Sequence, residues 1–483
     1  MRARAHEYSL RNTLYNYILN QFMRRSVPNL PTGKKISFAA CSDFTSKEFD
    51  METQQLTRVG PGTPTGSFLR QFWMPALMSS ELMADGAPIR LLLLGERLIA
   101  FRTTSGKVAI MDHRCPHRCA SLFYGRNEDE GLRCVYHGWK FDGDGKCIEA
   151  PNVSSRKPIH PTIPTTAYRT REVNGVVWVY MGERQTPPPF PEFPVLLEPA
   201  DKVSVWCMQR ECNYLQALEG DLDTSHSGFL HLGVGMGADE STKGRTSPEA
   251  LSMAVPNPEF KIVDTPSGVR AGAYRPADQS STYWRFTNFI MPFFSQVPPC
   301  PLGSEAVLRA WVPMDDYHTM FFSITSDTFL LSRSPNARQR AIPQPGLTTD
   351  YKYLPNTTDW YGRWRSAANM SNDHLIDREM QRKQSYTGIE GLDIQDAAVT
   401  ESMGPIVDHS AENLAQSDLL VVHARRKMVN AVEQWIQDKA LPAPVDNPSL
   451  LGDLWSGHVI APKGEALEIV YEKNIPSSRH VAA

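Results

Sequence analysis

The stretch DHRCPHRCASL (residues 112–122) sets Cys115 and His117 two apart, and RCVYHGWKF (residues 133–141) sets Cys134 and His137 three apart. Sixteen residues separate His117 from Cys134, so the pattern is C-x-H-x16-C-x2-H. The chain has eight cysteines in 483 residues, too few for a disulfide scaffold. Without an apolar secretory segment the expected compartment is the reducing cytosol, where paired Cys and His point to metal. Zinc ribbons use similar spacings but pair cysteine with cysteine in each knuckle. Here each knuckle offers one thiolate and one imidazole. That donor set suits an asymmetric [2Fe–2S] cluster, with two cysteinates on one iron and two neutral histidines on the other. Cys115 and Cys134 are assigned to the inner iron, and His117 and His137 to the outer, more exposed one. A structural zinc site is the competing reading.

Working outward, residues 60–182 carry β signals. RLLLLGERLIAFR, GKVAIMD, GWKFDGDGKCIEA and EVNGVVWVYMG are short apolar runs joined by Gly-Glu, Ser-Gly, Asp-Gly and Asn-Gly turns. ERQTPPPFPEFP (residues 183–194) reads as an extended, proline-rich linker. Beyond it, STYWRFTNFIM and MFFSITSDTFLL read as strands, and DLLVVHARRKMVNAVEQWIQDKA as an amphipathic helix.

A second constellation lies in NYLQALEGDLDTSHSGFLH (residues 213–231), where Asp223, His226 and His231 form D-x2-H-x4-H. Asp223 and His226 share a face if they sit on one helix. His231 is five further on and needs a break, which Gly228 can provide. Two histidines suit the two-His-one-carboxylate triad of non-heme Fe(II) enzymes, which leaves coordination positions open for dioxygen.

Together these residues resemble the Rieske non-heme iron aromatic-ring oxygenases. CPHR…ASL and CVYHGWKF look like the cluster loops of that family's terminal oxygenase components, although Cys119 stands where the family usually has glycine. Cys119 is expected to be a free, packed thiol, and Trp139 to shield the cluster. RVGPGTPTGSFLRQFWMPAL and GIEGLDIQDAAVTESMGPIVD resemble the phthalate-dioxygenase branch, which includes O-demethylases of lignin-derived biaryls. The resemblance runs from Met51 to about Lys439. It implies an α+β fold: an antiparallel β Rieske domain, then a helix-grip-like catalytic domain of antiparallel sheet plus helices. It also implies that Asp396 is the third ligand of a mononuclear Fe(II), with Asp393 and Glu401 as rivals, and that Asn213 and Glu219 lie near that iron. By motif position, Asp223 bridges His137 of one subunit and His226 of its neighbour in a homotrimer or hexamer.

The domain boundaries expected are 1–50, 51–185, 186–440 and 441–483. The first is a basic segment with Leu10, Leu14, Ile18 and Phe22 at helical spacing, read as a targeting piece or a peripheral extension. The last is read as a proline-containing extension over the surface. No dinucleotide-binding fingerprint is present, so electrons must come from NAD(P)H through a separate flavin and iron–sulfur reductase. The net charge of −3 argues for neither nucleic acid nor membrane, and no apolar run approaches the roughly 20 residues that span a bilayer. The substrates expected are dioxygen and a small aromatic acid, hydroxylated or O-demethylated, with Arg285 as a candidate carboxylate clamp. Arg285, Phe289 and Phe293 are expected on one side of a strand, the two aromatics more as core than as substrate wall. An electron carrier without oxygenase activity is the alternative, disfavoured by the chain's length and its second triad.

Overall fold

The computed structural model describes residues 53–153, 163–231, 257–326 and 352–476, with Leu251 and Val255. The expected targeting segment and the end of the MFFSITSDTFLL strand lie outside these residues.

The first domain is two antiparallel sheets. Strands β1 (Trp73–Met78), β2 (Ile89–Leu93), β3 (Glu96–Arg102) and β4 (Val108–Asp112) precede a small lobe of β5 (Arg126–Glu128), β6 (Gly131–Arg133), β7 (Lys140–Asp142) and β8 (Cys147–Glu149). β9 (Ala167–Val173) and β10 (Val176–Tyr180) then complete a six-stranded sheet in the order β1-β10-β9-β4-β3-β2. Its hairpins follow turn chemistry. Asn174 and Gly175 both have positive φ, the requirement of the tightest hairpin turn. β10 is buried along its whole length, because Trp178 meets Phe190 of the proline-rich linker and stacks on Phe294 of the second domain.

The second domain is one antiparallel sheet flanked by helices. β11 (Val203–Arg210), β12 (Glu259–Thr265), β13 (Gly268–Pro276), β14 (Ser281–Ile290), β15 (Phe294–Gln296), β16 (Val307–Pro313) and β17 (Thr319–Ser326) run in the order β11-β17-β16-β15-β14-β13-β12. Phe293 does not continue the strand that carries Arg285: β14 ends at Ile290, and Phe293 packs in the core after the reversal at Met291–Pro292. The segment expected as a surface extension is part of this sheet. Its strand β18 (Gly457–Pro462) pairs with the first half of β14, beside β15 on the second half.

Of the helices, α1 (Tyr214–Leu222) and α2 (Leu392–Ser402) position the site, while α3 (Leu419–Asp438) and α4 (Leu467–Asn474) pack in the apolar clusters. α3 turns Leu420, Val421, Ala424, Met428, Val432 and Trp435 inward, the spacing read from the sequence, and ends where Lys439 turns left-handed. The domains share one apolar core. Backbone bonds from Leu94 to Pro313 and from Gly95 to Met314 tie the β2–β3 turn to the end of β16. Among the described residues no helix is long and apolar enough to cross a membrane.

Candidate metal centres

The two loops of the first domain have the same build. In one, the Cys119 amide donates to the Cys115 carbonyl at 2.8 Å; in the other, the Gly138 amide donates to the Cys134 carbonyl at 3.0 Å. Both tight turns need a left-handed residue four past the cysteine, with φ of 58° at Cys119 and 76° at Gly138. Cys119 is a free thiol, but it is exposed rather than packed, because its turn projects it from the loop. Cys115 and Cys134 are buried, while His117 and His137 are half-buried. The two imidazoles lie 4.5 Å apart, and His117 stacks on the buried Trp139 at 4.7 Å.

These donors fit an iron–sulfur group. Burial first, and then the neighbouring Cys134, push the Cys115 thiol up to about 12, so two thiolates side by side here call for a cationic partner. The His137 Nδ1 is buried without any hydrogen-bond partner, an uncompensated position that a metal bond would satisfy.

The second constellation forms where α1 ends. The helix stops at Leu222, earlier than the sequence reading placed the break, and Asp223 is its C-cap in extended conformation. Asp223 and His226 therefore do not share a helix face. They meet through a turn, held by Ser225, whose backbone and hydroxyl both donate to Asp223 Oδ1 at 2.8 and 2.7 Å. His226 then starts a short 3₁₀ turn, His226–Gly228.

From the opposite side, α2 projects Asp396. Its Oδ1 lies 3.3 Å from His231 Nε2 and 3.6 Å from His226 Nε2, and the two Nε2 atoms are 3.1 Å apart. Three lone-pair donors converging at such distances fit a single cation. Of the two rivals, only Glu401 is engaged otherwise. Glu401 is bound by Arg210 at 3.2 Å and His374 at 3.0 Å. Asp393, one turn before Asp396, also faces the cavity, and burial pushes its carboxyl up to about 6.

Gln395 is the residue that sequence reasoning left without a role. Its amide nitrogen donates to Thr387 Oγ1 and to the Ile389 carbonyl at 2.9 and 2.8 Å. Its Oε1 must therefore accept, and His231 Nδ1 at 2.8 Å is the donor. The proton is thereby held on Nδ1, and Nε2 turns its lone pair toward His226 and Asp396. The only signal for this in the sequence was its place directly before Asp396. On the other imidazole, Asp223 Oδ2 lies 3.7 Å from His226 Nδ1. Burial opposes a charge on His226, but Asp223 and Asp396 outweigh it and raise the imidazole above its ordinary value, whereas burial dominates at His231 and lowers it.

Asn213 and Glu219 are not part of this centre. Asn213 caps α1 through Leu215 and donates to the Thr57 and Asp316 carbonyls. Glu219 is clamped by Arg425 at 2.6 and 2.7 Å. Glu219, His409 and Glu412 also converge, but the Arg425 guanidinium binds both carboxylates and already supplies the cation. Among the described residues Asp223 meets His226 and Ser225 and does not reach His137 of its own chain.

One cavity unites the three converging donors with Arg285, Thr224, Arg309, His458 and an apolar wall of Val297, Pro298, Pro299 and Leu392. Arg285 Nε donates to Thr224 Oγ1 at 3.0 Å, and no carboxylate among the described residues pairs with it. Arg275, two residue pairs along on the neighbouring strand β13, has Nε and Nη1 buried and without hydrogen-bond partners. Burial, and then the charge on Arg285, pull the Arg275 guanidinium down to about 10.

Comparison with known proteins agrees with this architecture. Residues 72–167 match the Rieske [2Fe-2S] domain, and residues 179–465 match the family described as LigXa C-terminal domain like. The 3-chlorobenzoate-3,4-dioxygenase oxygenase subunit of Comamonas testosteroni is 44% identical over 88% of this chain and 98% of its own length. The phthalate 4,5-dioxygenase oxygenase subunit of Pseudomonas putida is 37% identical over 79% of this chain and 85% of its own. Dicamba monooxygenase bound to 3,6-dichlorosalicylic acid shares the fold, with a TM-score of 0.52 at 17% identity over 77% of this chain and 99% of that one. A Rieske domain, a catalytic domain matched over more than half the chain, and nearly full-length relatives among oxygenase subunits place this protein in the family of Rieske non-heme iron oxygenases.

Proposed function

We propose that this chain is the terminal oxygenase component of a multi-component system that oxidises an aromatic carboxylic acid with dioxygen. In this reading Cys115 and Cys134 hold one iron of a [2Fe–2S] cluster, His117 and His137 the other, and His226, His231 and Asp396 hold a mononuclear Fe(II). When bound, the irons supply one-electron storage and dioxygen activation. The protein's own residues supply the rest. Gln395 fixes the His231 tautomer, and Asp223 orients His226. Thr224 holds Arg285 by its Nε, which leaves the two terminal nitrogens of the fork for a substrate carboxylate. The prolines and Leu392 exclude water from the ring.

The observation that carries this reading is the common cavity. It sets a two-His-one-carboxylate constellation and an arginine without an acidic partner on the walls of one space. A guanidinium in the wall of this space with no acidic partner among the described residues calls for an anion, and an electron carrier would need no such cavity. Electrons reach the cluster from a separate reductase or ferredoxin, as in systems built from oxygenase subunits.

The test is turnover. Anaerobically purified, iron-replete protein is mixed with a surrogate reductase, NADH and oxygen, and offered benzoate, 3-chlorobenzoate, phthalate and methoxylated benzoates. Products are read by mass spectrometry, and formaldehyde is assayed. A hydroxylated ring without formaldehyde makes it a ring hydroxylase; formaldehyde with a freed phenol makes it an O-demethylase. Both products come from the same chemistry, and the choice depends on which substrate atom faces the iron. Absence of oxygen consumption with every electron donor tried would overturn the reading.

A further inference from the structure

β18 comes from near the end of the described chain, yet Arg285 of β14 and His458 of β18 are direct partners across the sheet. Direct partners in an antiparallel pair present their side chains on one face, with Cβ atoms about 5 Å apart. Both side chains line the cavity that holds His226, His231 and Asp396.

The backbone at His458 is locked from both edges. On one side runs β14. On the other, the His458 amide donates to the Cys300 carbonyl at 2.8 Å, and the Leu302 amide donates to the His458 carbonyl at 2.9 Å. Residue 457 must be glycine for this approach, since a Cβ there would lie 2.4 Å from Leu302 Cα. The imidazole is thus set on a rigid element, as a recognition group needs to be.

Charge is divided across the cavity. Asp221 is occupied by Arg309, and Asp223 and Asp396 face the two histidines. The β14 wall, in contrast, carries Arg285, which among the described residues has no carboxylate partner. His458 adds an imidazole on the same face of the sheet, beside Arg285.

We infer that His458 is a substrate-binding residue: its ring and the Arg285 guanidinium grip one carboxylate of the aromatic substrate from adjacent strands, so that the C-terminal strand helps decide which acids are accepted. This rests on the aromatic-acid reading above.

The test is equilibrium binding to the iron-replete, cluster-loaded protein, by titration calorimetry with 3-chlorobenzoate and with its uncharged analogue 3-chlorobenzamide. His458→Phe is expected to weaken the acid about tenfold, the loss of one hydrogen bond to a charged group, and to leave the amide within about twofold. His458→Gln, which keeps a donor, is expected to recover most of that loss. In turnover the His458→Phe defect should appear in KM more than in kcat. If His458→Phe does not fold, as judged by its visible spectrum and thermal midpoint, His458→Ala is read in its place. Equal effects on acid and amide, or none on either, would overturn the inference. Arg285→Gln separates the two claims. If it abolishes the preference for acid while His458→Phe does not, the inference falls and the aromatic-acid reading stands. A wild-type protein that binds acid and amide alike overturns both.

Discussion

Cys119 and Gly138 occupy equivalent places in the two cluster loops, four residues after a cysteine and in the left-handed region. An L-residue there costs about 1 kcal/mol, which the loop carries at Cys119. Cys119→Gly is expected to stabilise the cluster-loaded protein by about 1 kcal/mol in urea denaturation, with an unchanged visible spectrum. At the other centre, Gln395 is the residue that fixes a tautomer. Gln395→Leu is expected to lower iron affinity about 10–100-fold while the cluster absorption stays intact, measured by iron content after dialysis against a chelator. Asp223→Asn tests a different role. The variant should keep both metals, by iron analysis and by spectrum, and lose nearly all turnover; activity near wild type would remove Asp223 from the electron path.

At the scale of elements, the site is made where regular structure stops. α1 ends at Leu222, one residue before Asp223, and the turn that follows brings His226 and His231 together. α2 is placed against α1 by polar bonds: Gln216 donates to the carbonyls of Thr400 and Gly404, and Arg210 holds Thr400 and Glu401. Asp396 therefore reaches the histidines from a braced helix. β18 is braced as well, at Gly457. Gly457→Ala is expected to destabilise the protein by about 1–3 kcal/mol, because the methyl group has backbone rather than a flexible side chain in its way. Denaturant midpoints check this, and an unperturbed protein would mean that β18 can shift without cost.

At the scale of the whole molecule, the two metal centres belong to two domains with a continuous core, and Asp223 does not meet His137 within one chain. A ring of subunits in which each cluster serves its neighbour's iron would supply the missing contact. Co-expression provides the check. In the reading proposed above Cys134→Ser loses a cluster ligand and His226→Ala an iron ligand, so each alone should be inactive. Purified mixed oligomers are expected to regain turnover, since a subunit with an intact cluster then borders one with an intact iron. Mixed oligomers as inactive as the parents would place the electron path within one chain.

The cluster loops, the hairpins around them and α3 were legible in the sequence because each depends on local rules: ligand spacing, turn residues at positive φ, and apolar residues at spacings of three and four. The donors His226 and His231 were legible by their spacing, although the helix face expected to join Asp223 and His226 is a turn, and Asp396 was legible through the resemblance. What stayed hidden depends on contacts between distant segments. Asn213 looked like a neighbour of the iron and is a helix cap. Phe293 looked like part of a strand and follows a chain reversal. The C-terminal segment looked peripheral and instead pairs with β14, bringing His458 opposite Arg285 across more than 150 residues of chain. The sequence by itself determined which residues have the chemistry to bind metal and where the hairpins of the first domain lie, since these follow from neighbours along the chain. Only the tertiary structure decided which carboxylate meets the histidines, which amide fixes a tautomer, and which arginines lack an acid, because those depend on side chains that burial brings together.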